Sequence, residues 1–459
     1  MFGELEMDSN ILKKFSEIAG VNNVFTNKTD LYTHSFDAAV LNPVQPGVVV
    51  RPENSETLSK VIKLCSENSL PMTVRGAGTN LAGATIPSKD GVVILTTGMN
   101  RIIELNTEDL YAIVEPGVIT QQFANEARKH DLLYPPDPGS QAVSTIGGNV
   151  AQNAGGLRGL KYGVTKDYVM GMTFFDANGD LIQSGSKTLK CVTGYNIHGL
   201  MTGSEGTLGI FKTITLKLIP KPLHRKAILA VFDSVGKASE TVAAIIANRI
   251  VPATLEFMDN FTIRAVEDFS KAGLPVKSEA ILLIEVDGHP AEVEDDAGKV
   301  EALCKNMGAD VKMAKDDNER DKIWTARRSA LSALAKVKPT LILEDATVPR
   351  SKLPDMVEAL SGIAKKFDLS IGTFGHAGDG NLHPTILTDK RDKKEWKRVE
   401  AAVEEIFDKA LDLGGTLSGE HGIGIAKSAF LKKELGQSTL DFMDKIKRSV
   451  DPKNLLNSH

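Results

Sequence analysis

The chain reads as an α+β protein of more than one domain, and three observations carry that reading. Its 459 residues exceed what one ordinary hydrophobic core holds together. From about residue 72 to Pro220, short strand-like runs are broken by glycine, a texture that brings backbone close to a ligand. After Pro220 strand-like runs alternate with helical patterns, which suggests an α+β or α/β second domain with a boundary near Pro220-Lys221-Pro222.

Taken in order, Asn10 is a capping residue and Gly20 a stop, which predicts an amphipathic helix over residues 11–19. Val48-Val49-Val50 ends at Pro52, a helical pattern fills residues 55–68, and Met72-Thr73-Val74 follows as a strand, a βαβ-like unit. Beyond the boundary, residues 227–232, 280–286 and 341–343 read as strands. Residues 237–248, 291–306 and 318–335 read as helices. A last helix covers residues 440–450 and stops before Asp451-Pro452.

Composition excludes several functions. Lys plus Arg number 54 against 59 Asp plus Glu, a net charge of -5, so no broad basic surface recruits nucleic acid or an anionic membrane. Cys65, Cys191 and Cys304 are scattered and include no C-x-x-C pair, which argues against a disulfide framework, an iron-sulfur cluster or a thiolate zinc site. A reducing cytoplasm is the expected compartment. No apolar run approaches the roughly 20 residues of a transmembrane segment, so membrane contact would go through a partner.

The chemistry concentrates in two motifs. His376-Ala377-Gly378-Asp379-Gly380-Asn381-Leu382-His383 is followed downstream by Glu420-His421. Two imidazoles and a carboxylate, here His376, His383 and Glu420, can hold one divalent ion and leave positions open for substrate. His421 is then available to move a proton, because an imidazole titrates near neutral pH. Asp379 and Asn381 are expected to shape the loop and orient the imidazoles. The glycine-rich half supplies a second kind of site. Arg75-Gly76-Ala77-Gly78-Thr79-Asn80 follows a strand, and its backbone N–H groups can converge on a phosphate. The Rossmann pattern is absent, since residues 82–87 make a poor helix start, so a nicotinamide cofactor is disfavoured. Pro138-Gly139-Ser140, Thr145-Ile146-Gly147-Gly148-Asn149, Asn153, Gly155-Gly156, Gly163 and Thr165 suggest a long extended ligand across strand ends. Gly203-Ser204-Glu205-Gly206-Thr207-Leu208-Gly209-Ile210 completes the set.

These loops in this order, with H-x-G-D-G-N-x-H and G-E-H-G-I-G downstream, resemble the flavin-dependent 2-hydroxyacid dehydrogenases, of the D-lactate dehydrogenase and glycolate oxidase flavin subunit type. The resemblance runs from about Leu41 to Leu456. It implies a vanillyl-alcohol-oxidase type of FAD-binding domain over residues 1–220, an antiparallel-sheet cap carrying the substrate site over 221–414, and a segment, 415–459, returning to the FAD domain. By the same resemblance the pyrophosphate loop is Arg75, Gly76, Ala77, Gly78, Thr79 and Asn80. The isoalloxazine side is Pro138, Gly139, Ser140, Gly147, Gly148 and Asn149; Asn153, Gly156, Gly163 and Thr165 are added as cofactor positions from the density of glycine and small polar residues around them. Adenine-side contacts fall on Glu205, Gly206 and Ile210. Some members of the wider fold attach FAD through a histidine in the first loop; Thr79 and Asn80 stand here, which implies dissociable FAD.

The implied reaction is FAD- and metal-dependent oxidation of a short 2-hydroxy acid, D-lactate to pyruvate in the first instance, with glycolate and D-2-hydroxyglutarate as alternatives. A cation bound to the substrate eases loss of the hydroxyl proton, His421 accepts it, and a hydride leaves the α-carbon for FAD. The metal is zinc, iron or manganese. Arg327, in Ile323-Trp324-Thr325-Ala326-Arg327-Arg328, is the residue implied for the substrate carboxylate, with Arg328 the fallback. Electrons would pass to a protein acceptor such as an electron-transfer flavoprotein. Readings of another class are a metallohydrolase, a non-heme iron oxygenase and a flavoprotein that only docks partners.

Overall fold

The computed structural model describes residues 7–458. Two compact units emerge. The first combines the chain up to Ala154, Val164–Lys221 and the stretch from Glu420 onward; the second combines Gly155–Gly163 with Pro222–Gly419.

In the first unit the opening helix is Ser9–Ala19, and its cap is Asp8 rather than Asn10: the Asp8 carboxylate accepts the Asn10 N–H at 2.8 Å. Val48–Val50 and Met72–Arg75 flank the helix Ser55–Glu67, yet they are not neighbours. Val92–Leu95 lies between them, parallel to both. Val48, Val50, Met72, Val92 and Ile94 are buried in one core and Val49 and Val93 in another, as strands covered on both faces require. A separate antiparallel sheet joins Ile102–Asn106, Tyr111–Val114, Ile210–Lys217, Val169–Phe175 and Leu181–Gly185. Residues 146–149, expected in extended loops, instead open the helix Ile146–Gln152, whose first turn is closed by the Thr145 hydroxyl accepting the Gly148 N–H at 3.2 Å. The chain returns to this unit at its far end. Leu455 O accepts the Met72 N–H, Asn457 N donates to Met72 O, and Leu455 and Leu456 bury among Val48, Val50 and Met72.

The second unit is built on one antiparallel sheet with helices on both faces. Across it run Asp310–Met313, His224–Phe232, Ala280–Gly288, Thr254–Asp259, Ser370–His376, Asn381–Thr388 and Thr340–Leu343. The central strand shows why. Ala280, Leu282, Ile284 and Val286 enter one core, while Ile281 and Leu283 enter the other, so a continuous apolar run serves two layers. The first layer gathers helices Val235–Ala247, Pro290–Asn306, Leu353–Lys366 and Lys393–Asp412. The second gathers Asn260–Ser270, Asp317–Arg328 and Ala330–Leu334. The single helix expected over residues 318–335 is thus two, interrupted at Ser329.

Candidate active site

The motif beginning at His376 is a β-hairpin: Ser370–His376, a tight turn over Ala377–Asp379, and Asn381–Thr388. In its register Phe374 faces His383 and His376 faces Asn381. Side chains alternate along a strand, so Phe374, His376 and His383 emerge on one side of the sheet. The neighbouring strand pairs Met258 with Phe374 and Phe257 with Gly375, which brings Glu256, two residues before Met258, level with His376 on that same side. Apolar Met258, Phe374 and Leu387 fill one end of this face; its polar end is the site.

There the side chains close a ring. Glu256 is fully buried; its Oε1 lies 2.7 Å from His376 Nδ1, and its Oε2 accepts from Arg327 Nε at 2.7 Å and Nη2 at 2.5 Å. The Arg327 guanidinium stacks over Phe374 at 4.8 Å, Phe374 meets the His383 ring at 5.5 Å, and the rings of His383 and His376 meet edge to face at 5.1 Å. Burial alone would raise the pKa of Glu256, but the charges and hydrogen bonds of His376 and Arg327 outweigh it and hold the carboxyl below its ordinary value. The ring nitrogen facing that carboxylate at 2.7 Å carries a proton, which leaves Nε2 as the His376 atom that could bind a metal ion. Arg327 sits on the inner side of its helix and Arg328 is exposed on the outer side. Asp345, fully buried, brings a carboxylate oxygen within 4.8 Å of a His383 nitrogen and accepts from Ser418 Oγ at 2.7 Å. Nearby, Thr347 Oγ1 and Asn381 Oδ1 are buried with no hydrogen-bond partner among the described residues. This donor set suits a divalent ion: two imidazoles, one with its tautomer fixed, beside a buried carboxylate.

The loop Gly76–Asn80 is shaped from beneath. Arg75 donates to Phe36 O at 2.7 Å, and the Asn80 side chain accepts from the amides of Ala82 and Ala84 and donates to Thr85. Gly78 is left-handed, with φ 69°, and a β-carbon there would stand 2.1 Å from the Arg75 guanidinium. The amides of Ala77, Gly78, Thr79 and Asn80 have no protein acceptor among the described residues. Consecutive donors of this kind fit a pyrophosphate, and a methyl placed on Gly139 would touch nothing within 4 Å, leaving room above that backbone. The residues present therefore fit FAD.

Other expected cofactor positions divide by what their side chains do. Asn149 donates to Thr120 at 2.8 Å and Thr165 donates to Ala154 O, bracing the unit from inside, while Asn153 accepts the Lys166 N–H in an exposed bond. Gly147 donates its amide to Pro116 O. Pro138 and Ser140 flank the open Gly139 and are partly buried. Gly156 and Gly163 lie on the segment that groups with the second unit. Ile210 is buried at the start of its strand, and Gly206 is left-handed against Asn457. Glu205 accepts the amides of Ile423 and Gly424 at 2.7 and 2.8 Å, and burial raises its pKa in spite of those bonds. Its carboxylate thus fastens the segment containing Glu420 and His421, whose own side chains approach to 3.8 Å. Glu256, Phe374 and Asp345 stand outside the two motifs; an acid inside an apolar strand, as in Leu255-Glu256-Phe257, is the one signal in the sequence that points to the first of them.

Fold and site together define a flavin-linked oxidoreductase. Residues 46–185 match the FAD binding domain family and residues 221–459 match the family described as FAD linked oxidases, C-terminal domain, so the chain belongs to the FAD-linked oxidases. It is 48% identical to the glycolate oxidase subunit GlcD of Bacillus subtilis (strain 168), across 97% of this chain and 95% of that one. Identity to the protein of the same name from Escherichia coli (strain K12) is 36%, covering 99% and 91%. A D-lactate dehydrogenase of Anaerostipes hadrus is 34% identical, covering 97% and 96%. Among solved structures, p-cresol methylhydroxylase with substrate bound superposes with a TM-score of 0.80 at 18% identity, covering 98% and 95%, a likeness that shows the vanillyl-alcohol-oxidase type of fold.

Proposed function

We infer that this chain oxidises a short 2-hydroxy acid to the 2-oxo acid with FAD as electron acceptor and a divalent ion held by His376, His383 and Glu420. The observation that carries the reading is the buried Arg327–Glu256–His376 group, where a guanidinium for a carboxylate sits one side chain away from an imidazole whose Nδ1 is held by Glu256. Relatives named for glycolate and for D-lactate support a two- or three-carbon substrate. When bound, FAD supplies a two-electron sink and the ion supplies Lewis acidity toward the substrate hydroxyl. Arg327 receives the substrate carboxylate through the guanidinium edge not used by Glu256. His421 takes the hydroxyl proton, and Glu205 holds the backbone just beyond it in place through Ile423 and Gly424. Ala77 to Asn80 bind the cofactor pyrophosphate through their amides.

Two relatives are named as subunits, which supports a polypeptide electron acceptor such as an electron-transfer flavoprotein. No helix among the described residues is long and apolar enough to cross a membrane. The test is anaerobic addition of glycolate, D-lactate, L-lactate and D-2-hydroxyglutarate to the FAD-loaded protein, with and without chelator. Bleaching of the flavin band by glycolate or D-lactate, lost on chelation, is expected; no bleaching by any of the four overturns the reading.

A further inference from the structure

We propose that Glu256 is a positioning residue that couples the carboxylate-binding guanidinium to the metal-binding imidazole, and that it sets the charge balance by which the site accepts an anion. The inference deepens the function proposed above and rests on it. One carboxylate serves both partners, Oε1 toward His376 Nδ1 and Oε2 toward Arg327. Other acids of this unit do different work. Glu285 accepts from Trp324 Nε1, and Asp287 is tied to Lys161 and Tyr162.

Two consequences follow from position and charge. A carboxylate at Nδ1 fixes the tautomer of His376 and makes Nε2 a better ligand, an effect whose loss lowers metal affinity by about 10- to 100-fold. Glu256 also neutralises Arg327 where water does not screen the pair, since their side chains are 0% and 7% exposed. Arg327 and Glu256 face each other as opposite charges, with Nε and Nη2 of the guanidinium both on Oε2. An incoming substrate carboxylate therefore meets a guanidinium already paired with a buried carboxylate. Glu256 makes metal binding and anion binding depend on each other, and removing its charge moves the two in opposite directions. A carboxylate that only held the fold together would move both the same way.

The experiment uses the full-length, FAD-loaded protein and Glu256→Gln, which keeps the side-chain shape. Zinc retention is measured by competition with a chelator, and pyruvate binding by calorimetry on metal-stripped protein. The proposal expects zinc to be held about 10- to 100-fold more weakly and pyruvate to bind the stripped variant several-fold more tightly than stripped wild type. Zinc and pyruvate affinities both within twofold of wild type would overturn it, as would weakening of both alongside a lowered midpoint. If the variant does not fold, Glu256→Asp, which withdraws the charge by one methylene, is read by the same two affinities. Wild type that holds neither zinc, iron nor manganese overturns the metal reading itself, a result distinct from unaltered affinities in the variant.

Discussion

Gly78 shows how much one position can decide. Its left-handed φ of 69° strains any residue with a β-carbon, and that atom would displace the Arg75 guanidinium, 2.1 Å away, from beneath the loop. Gly78→Ala is expected to emerge from purification with most of its FAD lost, read as the ratio of flavin to protein absorbance; full loading would contradict the role of this loop. Asp259 gives a pH-dependent counterpart. It caps the helix Asn260–Ser270 through the Thr262 N–H and accepts the Thr373 N–H, yet burial raises its pKa to about 6. Between the ordinary carboxylate range near 4 and about 6 the folded chain binds more protons than the unfolded one, so the stability due to Asp259 falls as pH rises through that window and is level above it. The melting temperature of wild type relative to Asp259→Asn should fall across the window, and a pH-independent difference would refute the assignment. Histidine is legible at this scale because it is scarce, nine residues in all, and the motif histidines sit in distinctive glycine-rich surroundings. Glu256 is not, because only the register of Thr254–Asp259 against Ser370–His376 reveals what it faces.

Elements were legible where periodicity was strong and hidden where glycine intervened. The strands His224–Phe232 and Ala280–Gly288 and the helix Ser55–Glu67 announce themselves through apolar spacing. The helix Ile146–Gln152 is concealed by Gly147 and Gly148, poor helix formers that the Thr145 cap and burial of Ile146 and Val150 hold in place. The hairpin around His376 is hidden for a related reason: its turn residues crowd the motif, and its strands are recognisable only by pairing. The turn can be tested at Gly380, with φ 85°, where a β-carbon would stand 2.1 Å from Val348 O. Gly380→Ala should cost about 2 kcal/mol or more by chemical denaturation and weaken metal retention, since the turn sets where both histidines point. An unaltered denaturation midpoint would show that the backbone relaxes there without cost.

For the molecule as a whole, the decisive fact is discontinuity. The first unit draws on three stretches of chain and the second on two, an arrangement that local sequence signals do not report because it arises from contacts between distant residues. Asn457 joins residues hundreds of positions apart, donating to Ala84 O and Glu205 O and accepting the Val74 N–H. Asn457→Ala should cost about 2 kcal/mol or more, seen as a lowered melting temperature, because it strands buried backbone partners. Residues 1–221 expressed alone should fail to retain FAD, since Glu205 and the strand Met72–Arg75 then lack Ile423, Gly424 and Asn457; a yellow, monomeric fragment would contradict this. The same layout imposes a timetable on synthesis. Every residue of the second unit has been made once Gly419 is added, whereas the first unit still lacks the partners that Asn457 supplies to Ala84 and Glu205, so cofactor loading is expected to lag behind growth of the middle of the chain.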